Sequence, residues 1–204
     1  MAKITAIKAQ EKDKDKCSVF LDGEYAFSLY IDTVLDLRLK IGDDVDESKL
    51  LDLKLQSEKE TCFKKALKYA VSASKTRKQI ADYLKRKEFG DNAIHFAIEK
   101  LKEYGYVDDV DYARRYVETY SVNQGRKLIE KKLCEKGIAK CVIDQVFSEI
   151  DVDGTEGACA LAEKKFRGKE ITKDLEIKVK RYLLGRGYSY SEIERAVERV
   201  KGER

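Results

Sequence analysis

The sequence has 204 residues, of which 39% are charged and 43% hydrophobic, and its formal net charge is +4. This balance excludes an intrinsically disordered chain, and no apolar run approaches the roughly 18 residues that a membrane-spanning helix needs. One histidine, His95, and five cysteines without CxxC spacing do not make a zinc site, and the absence of proline permits long helices. We therefore expect a cytoplasmic protein with no membrane association, no metal and no cofactor.

Residues 1–58 are predicted to form a small β-rich segment. Asp22 and Gly23 separate two β-prone runs, which is the pattern of a tight hairpin whose turn residues need positive φ. Residues 3–9 alternate polar and apolar side chains, as a half-buried strand does. Three strands followed by two short helices are predicted over residues 3–9, 17–21, 25–29, 31–39 and 46–53.

From Ser57 onward the sequence predicts helices only. Ser57 and Glu60 have the spacing of a capping box, so a new helix is expected to begin there, and Ser189 with Glu192 forms a second capping box. Six glycines stand where a left-handed, helix-ending residue is expected: Gly90, Gly105, Gly125, Gly137, Gly168 and Gly187. The predicted helices cover residues 62–71, 76–88, 91–104, 109–122, 126–136, 140–149, 155–167, 173–185 and 190–200.

An internal repeat organises the helical part of the chain. Seven apolar positions in a helix, a turn and a second helix recur 49 residues later and again 50 residues after that. Generic amphipathic helices would not keep the turn in register, so the recurrence indicates a repeat architecture. The equivalent positions are Ile80, Leu84, Phe89, Ile94, Ala97, Ile98 and Leu101; Ile129, Leu133, Ile138, Ile143, Val146, Phe147 and Ile150; and Val179, Leu183, Tyr188, Ile193, Ala196, Val197 and Val200.

Each pair of helices is preceded by one more helix, which gives three tandem three-helix repeats. We place them at residues 59–106 (repeat 1), 107–152 (repeat 2) and 153–204 (repeat 3). Because such units stack side by side, the predicted fold is mainly α, an elongated curved array of three repeats with the small β-hairpin segment at its amino terminus.

No catalytic residue is predicted. The sequence has no Gly-rich phosphate loop of the GxxxxGK[ST] type and no GxSxG elbow. His95 is its only histidine, and no nucleophile triad that includes it is recognisable. Adjacent carboxylates such as Asp43 with Asp44 lie at predicted turns and helix starts, where capping explains them. We therefore expect a protein that is not an enzyme.

Basic residues are the candidates for a binding surface. Residues 60–150 hold nineteen lysines and arginines against fourteen acidic residues, whereas residues 1–59 hold ten against thirteen. Arg77-Lys78 and Arg126-Lys127 are equivalent in the repeat and both open a helix, where cations oppose the helix dipole, so an external anion is one explanation for them. The candidate face consists of Lys75, Arg77, Lys78, Lys85, Arg86, Arg126, Lys127, Lys131 and Lys132.

Three interpretations of this basic face remain open at the sequence level. It is a solvated helix surface, a surface for nucleic-acid phosphates, or a surface for an acidic protein. Direct base readout is not expected, because no helix carries Asn, Gln and Arg at base-reading spacing. Tyr112, Tyr116 and Tyr120 follow one another at helical spacing, which favours packing between repeats over stacking on bases.

One segment resembles the most recognisable part of the RecX family. It runs from Gly105 and Tyr106 through Asp108 and Asp109, followed by a Tyr-Ala pair and another tyrosine. The segment from Leu133 to Ile138, which contains a glycine, is similar to the next signature of that family. The resemblance covers residues 60–200, and its motif residues are expected to cap, end and pack helices. They are Gly105, Tyr106, Asp108, Asp109, Tyr112, Ala113, Tyr116 and Gly137.

The resemblance implies a non-catalytic regulator of the RecA recombinase in homologous recombination, DNA repair and the SOS response. Such a protein binds RecA and its filament on single-stranded DNA and changes ATP hydrolysis, strand exchange and filament extension, mostly by inhibition. The alternative is a helical protein that binds DNA directly and tolerates any sequence, such as an architectural or transcription-associated factor. In either case we expect a monomer.

Overall fold

The computed structural model describes residues 2–11, 13–150 and 152–202, with the backbone alone at 47–50 and 53. The chain forms two units. One runs from the amino terminus through Lys75 and resumes over Ile80–Val107, and the other joins Thr76–Gln79 to the chain from Asp108 onward. None of the described helices is long and apolar enough to cross a bilayer.

The amino-terminal sheet follows from alternating side chains. In the second strand Cys17, Val19 and Leu21 are buried and the residues between them are not, so one face of the sheet covers a core. Asp22 and Gly23 have φ of 49° and 93°, which confirms the predicted hairpin turn. The strands are β1 (Ala2–Ala9), β2 (Lys16–Leu21), β3 (Glu24–Tyr30) and the two-residue β4 (Asp44–Val45), in the antiparallel order β3-β2-β1-β4. The three predicted strands are confirmed as β1, β2 and β3, and β4 was missed because a strand of two residues has no readable periodicity.

The helices after the hairpin differ from the prediction. Helix α1 covers Ile31–Asp36, and a single helix of 26 residues, α2, covers Glu47–Ser72. The capping box at Ser57 and Glu60 was therefore wrong, as was a separate helix over 46–53. No glycine or proline interrupts this stretch, and the buried Ser57 hydroxyl forms a hydrogen bond with Thr33 of α1 instead of capping a helix.

Eight further helices complete the chain that the structure describes. The helices predicted in this part of the sequence are confirmed, and their ends shift by a few residues. The helices are α3 (Arg77–Lys85), α4 (Asp91–Glu103), α5 (Asp109–Tyr120), α6 (Arg126–Glu135), α7 (Lys140–Glu149), α8 (Thr155–Phe166), α9 (Lys173–Gly185) and α10 (Tyr190–Gly202).

The three-helix repeat is confirmed by its cores. The end of α2 with α3 and α4, α5 with α6 and α7, and α8 with α9 and α10 each surround a separate apolar cluster. Of the 21 equivalent positions named from the sequence, all are buried except Ile98 and Ile150, which are half-buried. The residue boundaries assigned to the repeats stay a prediction.

The turn between the second and third helices is the same in every repeat. In repeat 2, Ile138 N–H donates to Leu133 O (3.1 Å) and Gly137 N–H donates to Cys134 O (2.9 Å), which is the Schellman ending of a helix. Repeat 3 makes this turn at Gly187 with φ of 89°, and repeat 1 makes it at Glu88 with φ of 60°. A left-handed residue is thus required in all three turns, and only repeat 1 uses a residue with a side chain.

Two of the six glycines were assigned the wrong role. Gly90 and Gly125 have φ of −68° and −74° and stand at the N-caps of α4 and α6, so they begin helices. Gly125 needs no left-handed backbone, but a Cβ atom there would lie 2.3 Å from the backbone of Gly187. Its lack of a side chain serves a close approach of two chain segments.

Candidate nucleic-acid interface

The start of α3 is held by residues that lie far away in the sequence. Thr76 is fully buried, and its hydroxyl donates to Lys136 O (2.7 Å). Arg77 donates from its backbone N–H to Asp109 Oδ1 (3.0 Å) and from Nε to Asp109 Oδ2 (2.9 Å). The side-chain carbons of Lys78 fill the space next to Gly137, where a Cβ atom would lie 2.3 Å from Lys78 Cδ. An internal carboxylate therefore occupies the place that the sequence left for an external anion.

The start of α6 is built in a similar way. Gly125 N–H donates to Arg186 O (2.9 Å) and Lys127 N–H donates to Gly187 O (3.2 Å), so the first turn of α6 meets the last turn of α9. The Arg126 guanidinium bonds Glu130 Oε1 through Nε (2.7 Å) and lies 4.6 Å from the centre of the Phe147 ring. Arg126 thus has internal partners, whereas the Lys127 side chain is exposed.

The pKa of Glu130 reflects its contacts with Arg126 and Lys140. Burial alone would raise the pKa of Glu130, but hydrogen bonds from Arg126 and Lys140 outweigh it and hold the pKa below its usual value. Arg126 and Lys140 also approach Asp144 Oδ1, at 3.8 and 3.0 Å. This side of α6 and α7 is a closed network of ion pairs, and anion binding by Arg77 or Arg126 stays a prediction.

The opposite side of α6 presents lysines to a row of tyrosine rings. On α5 the ring centres of Tyr112 and Tyr116 are 6.3 Å apart, and those of Tyr116 and Tyr120 are 4.3 Å apart. Lys132 Nζ lies 5.9 Å from the Tyr120 ring centre and donates to Gln124 Oε1 (3.0 Å). Tyr112 and Tyr116 pack against the core of repeat 2, and their expected packing between repeats stays a prediction.

The remaining candidates of the basic face are exposed or nearly so. Lys131 on α6 is exposed. In the other unit, Lys75 Nζ lies 5.0 Å from the Tyr69 ring centre, Lys85 Nζ lies 3.4 Å from Asp91 Oδ1, and Arg86 is exposed. Lys127, Lys131 and Lys132 thus all lie on α6, whereas Lys75, Lys85 and Arg86 belong to the other unit.

The residues of the motif over 105–116 make contacts within the fold, and Asp109 differs from its expected role. Gly105 ends α4 with φ of 72°, Ala113 is buried in the core of repeat 2, and Tyr106 is half exposed. Asp108 caps α5, because its Oδ1 accepts from Val110 N–H (2.8 Å) and Asp111 N–H (3.2 Å). Asp109 was expected to cap the same helix, but its buried carboxylate binds Arg77 at the start of α3. Asp109 therefore secures a contact between segments 32 residues apart.

Sequence reasoning missed a second basic group, in the amino-terminal unit. Lys64, Lys65 and Lys68 on α2 and Lys14 in the loop between β1 and β2 line a hollow of about 340 Å³. Lys65 Nζ pairs with Asp15 (2.8 Å) and Lys64 Nζ with Asp32 (3.5 Å). The spacing of the three α2 lysines places them along one helix, which the sequence could have shown. The sequence could not show that the loop with Lys14 lies next to them.

The described residues contain no trio of His, Cys, Asp and Glu side chains arranged to hold a metal ion. Three repeats with separate cores, carrying exposed lysines and tyrosines, define the class of the molecule as a helical-repeat protein with a small amino-terminal sheet. Family models described as "Regulatory protein RecX N-terminal domain", "RecX, first three-helix domain" and "RecX, third three-helix domain" match residues 2–46, 62–101 and 151–197.

Full-length relatives agree with these models. The chain is 36% identical over 203 residues to "Regulatory protein RecX" of Clostridium botulinum (strain Eklund 17B / Type B), covering 97% of this chain and 96% of the relative. It is 32% identical to the protein of the same name from Clostridium beijerinckii, covering 98% and 96%. A crystal structure of regulatory protein RecX superposes with a TM-score of 0.67 at 28% identity, covering 95% of this chain and 98% of that one. The chain belongs to the RecX family of regulatory proteins.

Proposed function

We propose that this protein is a non-catalytic regulator that binds the RecA recombinase and its filament on single-stranded DNA. In this proposal it lowers ATP hydrolysis, strand exchange and filament extension by RecA, and so regulates recombination and DNA repair. The observation that carries the proposal is membership of the RecX family over nearly the whole chain. The exposed lysines of α6 supply a surface that suits an assembly rich in phosphate and carboxylate groups.

The test is RecA-dependent ATP hydrolysis on single-stranded DNA with this protein titrated in. We expect the rate to fall as the protein approaches stoichiometry with RecA. An unchanged rate at a stoichiometric excess of the protein would contradict the proposal.

A pair of double variants tests the α6 surface within this assay. Lys127→Glu with Lys131→Glu reverses two exposed charges of repeat 2, and Lys173→Glu with Lys178→Glu reverses two exposed charges of α9 in repeat 3. We expect the first variant to need several-fold more protein for the same inhibition and the second to behave as the wild type. Equal effects of the two would show that only net charge matters.

The second candidate function is direct, sequence-tolerant binding of DNA. The observation in its favour is the row of tyrosine rings on α5 with lysines beside it, since aromatic rings and cations together are typical of single-strand binding. The test is binding of DNA by the protein alone at low salt, where phosphate contacts are strongest. Absence of measurable affinity under those conditions would remove this candidate and leave the RecA-directed proposal untouched.

A further inference from the structure

The tyrosine row on α5 changes from half-buried at Tyr112 and Tyr116 to exposed at Tyr120. Tyr112 and Tyr116 touch the core of repeat 2, and burial, with the neighbouring tyrosines and Glu135 as further causes, raises the pKa of Tyr116. Tyr120 lies at the end of the row and is 37% exposed. Its ring is held 4.3 Å from that of Tyr116 with an interplanar angle of 37°. An aromatic ring is therefore fixed at the surface, on a rigid helix, by rings that are anchored beneath it.

Lys132 of α6 and Lys136, the residue that follows α6, run beside the row at the same four-residue spacing. Lys136 Nζ lies 5.9 Å from the Tyr112 ring centre and 5.7 Å from that of Tyr116, and Lys132 Nζ lies 5.9 Å from that of Tyr120. Within the described chain neither lysine forms an ion pair with a carboxylate. Arg126 and Lys140, on the other side, do. Lys132 and Lys136 thus have no ion-pair partner among the described residues, and Glu135 is the carboxylate near enough to Tyr116 to raise its pKa.

We propose that Tyr120 is the stacking site for an unpaired base of a single-stranded nucleic acid, with Lys132 and Lys136 contacting the flanking phosphates. A base placed against Tyr120 continues the row of rings, and ammonium groups within reach of the row bind the backbone that carries the base. Stacking of this kind tolerates any base, since every base has a π-face. Paired bases of a duplex are already stacked, so the site favours single strands.

This inference rests on the second candidate function and gives it a location and a ligand. The experiment is binding of a short fluorescent oligothymidylate to the protein alone at low salt, beside an abasic strand of the same length and a duplex. The abasic strand keeps the phosphates and removes the bases. We expect the wild type to bind oligothymidylate about ten-fold more tightly than the abasic strand, which is the size of effect that one stacked base has on affinity.

Variants of Tyr120 isolate the ring. Tyr120→Ala is expected to bind oligothymidylate and the abasic strand equally, and Tyr120→Phe to keep the wild-type difference, because phenylalanine keeps the stacking face. Tyr190→Ala is the matched control, since Tyr190 on α10 is 69% exposed and outside the row. Tyr120 is not part of the core cluster, so Tyr120→Ala should lose only the contact with Tyr116 and should still unfold cooperatively in urea.

Several results would overturn the inference. Equal affinity of the wild type for oligothymidylate and the abasic strand would show binding through phosphates alone. A Tyr120→Ala protein that binds as the wild type does, or a duplex that binds more tightly than the single strand, would also contradict it. In each of these cases direct DNA binding would survive as a function without this site. If the wild type binds no DNA, the inference and the second candidate function fail together.

Discussion

Helices α6 and α9 occupy the same place in repeats 2 and 3, but their first turns have different surroundings. The first turn of α6 donates hydrogen bonds from Gly125 and Lys127 to the carbonyls of Arg186 and Gly187 at the end of α9. The first turn of α9 is capped locally by Thr172, whose hydroxyl accepts from a backbone N–H in the same turn (3.2 Å). The start of α6 is therefore hydrogen-bonded to the residues that follow α9, whereas the start of α9 is hydrogen-bonded within its own first turn.

The charges in the first turns of α6 and α9 also differ. Arg126 of α6 corresponds to Glu176 of α9, and Glu176 forms ion pairs with Lys180 and Lys201 inside repeat 3. Arg77 of α3 resembles Arg126, since its helix start also meets the end of another helix. In α3 and α6, the helix that begins with an arginine also contacts the end of another helix, and the arginine binds a carboxylate of this protein. Partner surfaces are better sought at lysines that lack such carboxylates.

The largest expected effect comes from the glycine at the junction of α6 and α9. In Gly187→Ala the new methyl group would lie 2.4 Å from Leu128 N, and the residue would keep a φ of 89°. We expect the free energy of unfolding in urea to fall by about 3 kcal/mol, from steric overlap and backbone strain together. The control is Gly168→Ala, with φ of 71° but no atom within 4 Å, which should cost about 1 kcal/mol. Equal losses of unfolding free energy in the two variants would show that the contact between α6 and the end of α9 can accommodate a methyl group.

The next effect concerns the carboxylate that holds the start of α3. Asp109→Ala removes the acceptor of two Arg77 donors from a buried position, and we expect urea unfolding to report a loss of about 2 kcal/mol. Asp108→Ala, which removes only the cap of α5, should cost about 1 kcal/mol. If Asp108→Ala is the more damaging change, Asp109 contributes little to the contact between the two segments.

A gain in stability is expected inside repeat 3. Tyr188 stands where repeats 1 and 2 have Phe89 and Ile138, and its fully buried hydroxyl has no hydrogen-bond partner among the described residues. Burial raises the pKa of Tyr188 to about 12. Tyr188→Phe should raise the free energy of unfolding by about 1 kcal/mol, since it removes an unsatisfied buried group. Tyr190→Phe, at an exposed position, should leave it unchanged, and a loss of stability at Tyr188 would reveal an unseen partner.

The smallest effect tests the charge at the α9 position itself. Hydrogen bonds from Lys201 and Lys180 lower the pKa of Glu176, so its contribution to stability is present above its unfolded-state pKa and is lost as the pH falls through the folded-state pKa. At neutral pH, Glu176→Gln should cost a few tenths of a kcal/mol, as ion pairs at a protein surface do. The difference from the wild type should vanish in urea unfolding at about pH 2. A difference that persists in acid would mean that the side chain acts by packing.

Much of the fold follows from the sequence because it depends on local periodicity. Apolar spacing identified the cores of the three repeats, and a hairpin turn and helix-ending glycines were correctly placed at Gly23, Gly105, Gly137 and Gly187. The unbroken α2 was missed, because the capping signal at Ser57 is used for a tertiary hydrogen bond. Local rules cannot distinguish a serine that caps a helix from one that bonds to a distant element.

The candidate site was less accessible to the same reasoning. Sequence reasoning named Lys132 of α6 and the tyrosines of α5, but it did not name Lys136 and could not show that these lysines face the tyrosine rings. It also treated Arg77 and Arg126 as equal to the neighbouring lysines. Whether a charge is available depends on carboxylates such as Asp109, which lies 32 residues from Arg77.

The sequence by itself determined the class of this protein, since a repeated pattern of apolar residues and turns specifies helices and their cores through interactions between near neighbours in the chain. The tertiary structure alone decided which polar groups are used internally. Ion pairs, close glycine contacts and stacked rings join residues that are distant in sequence, and their geometry is set by how the helices pack. The exposed tyrosine at the end of α5, with Lys132 and Lys136 beside it, became a candidate site only through that packing.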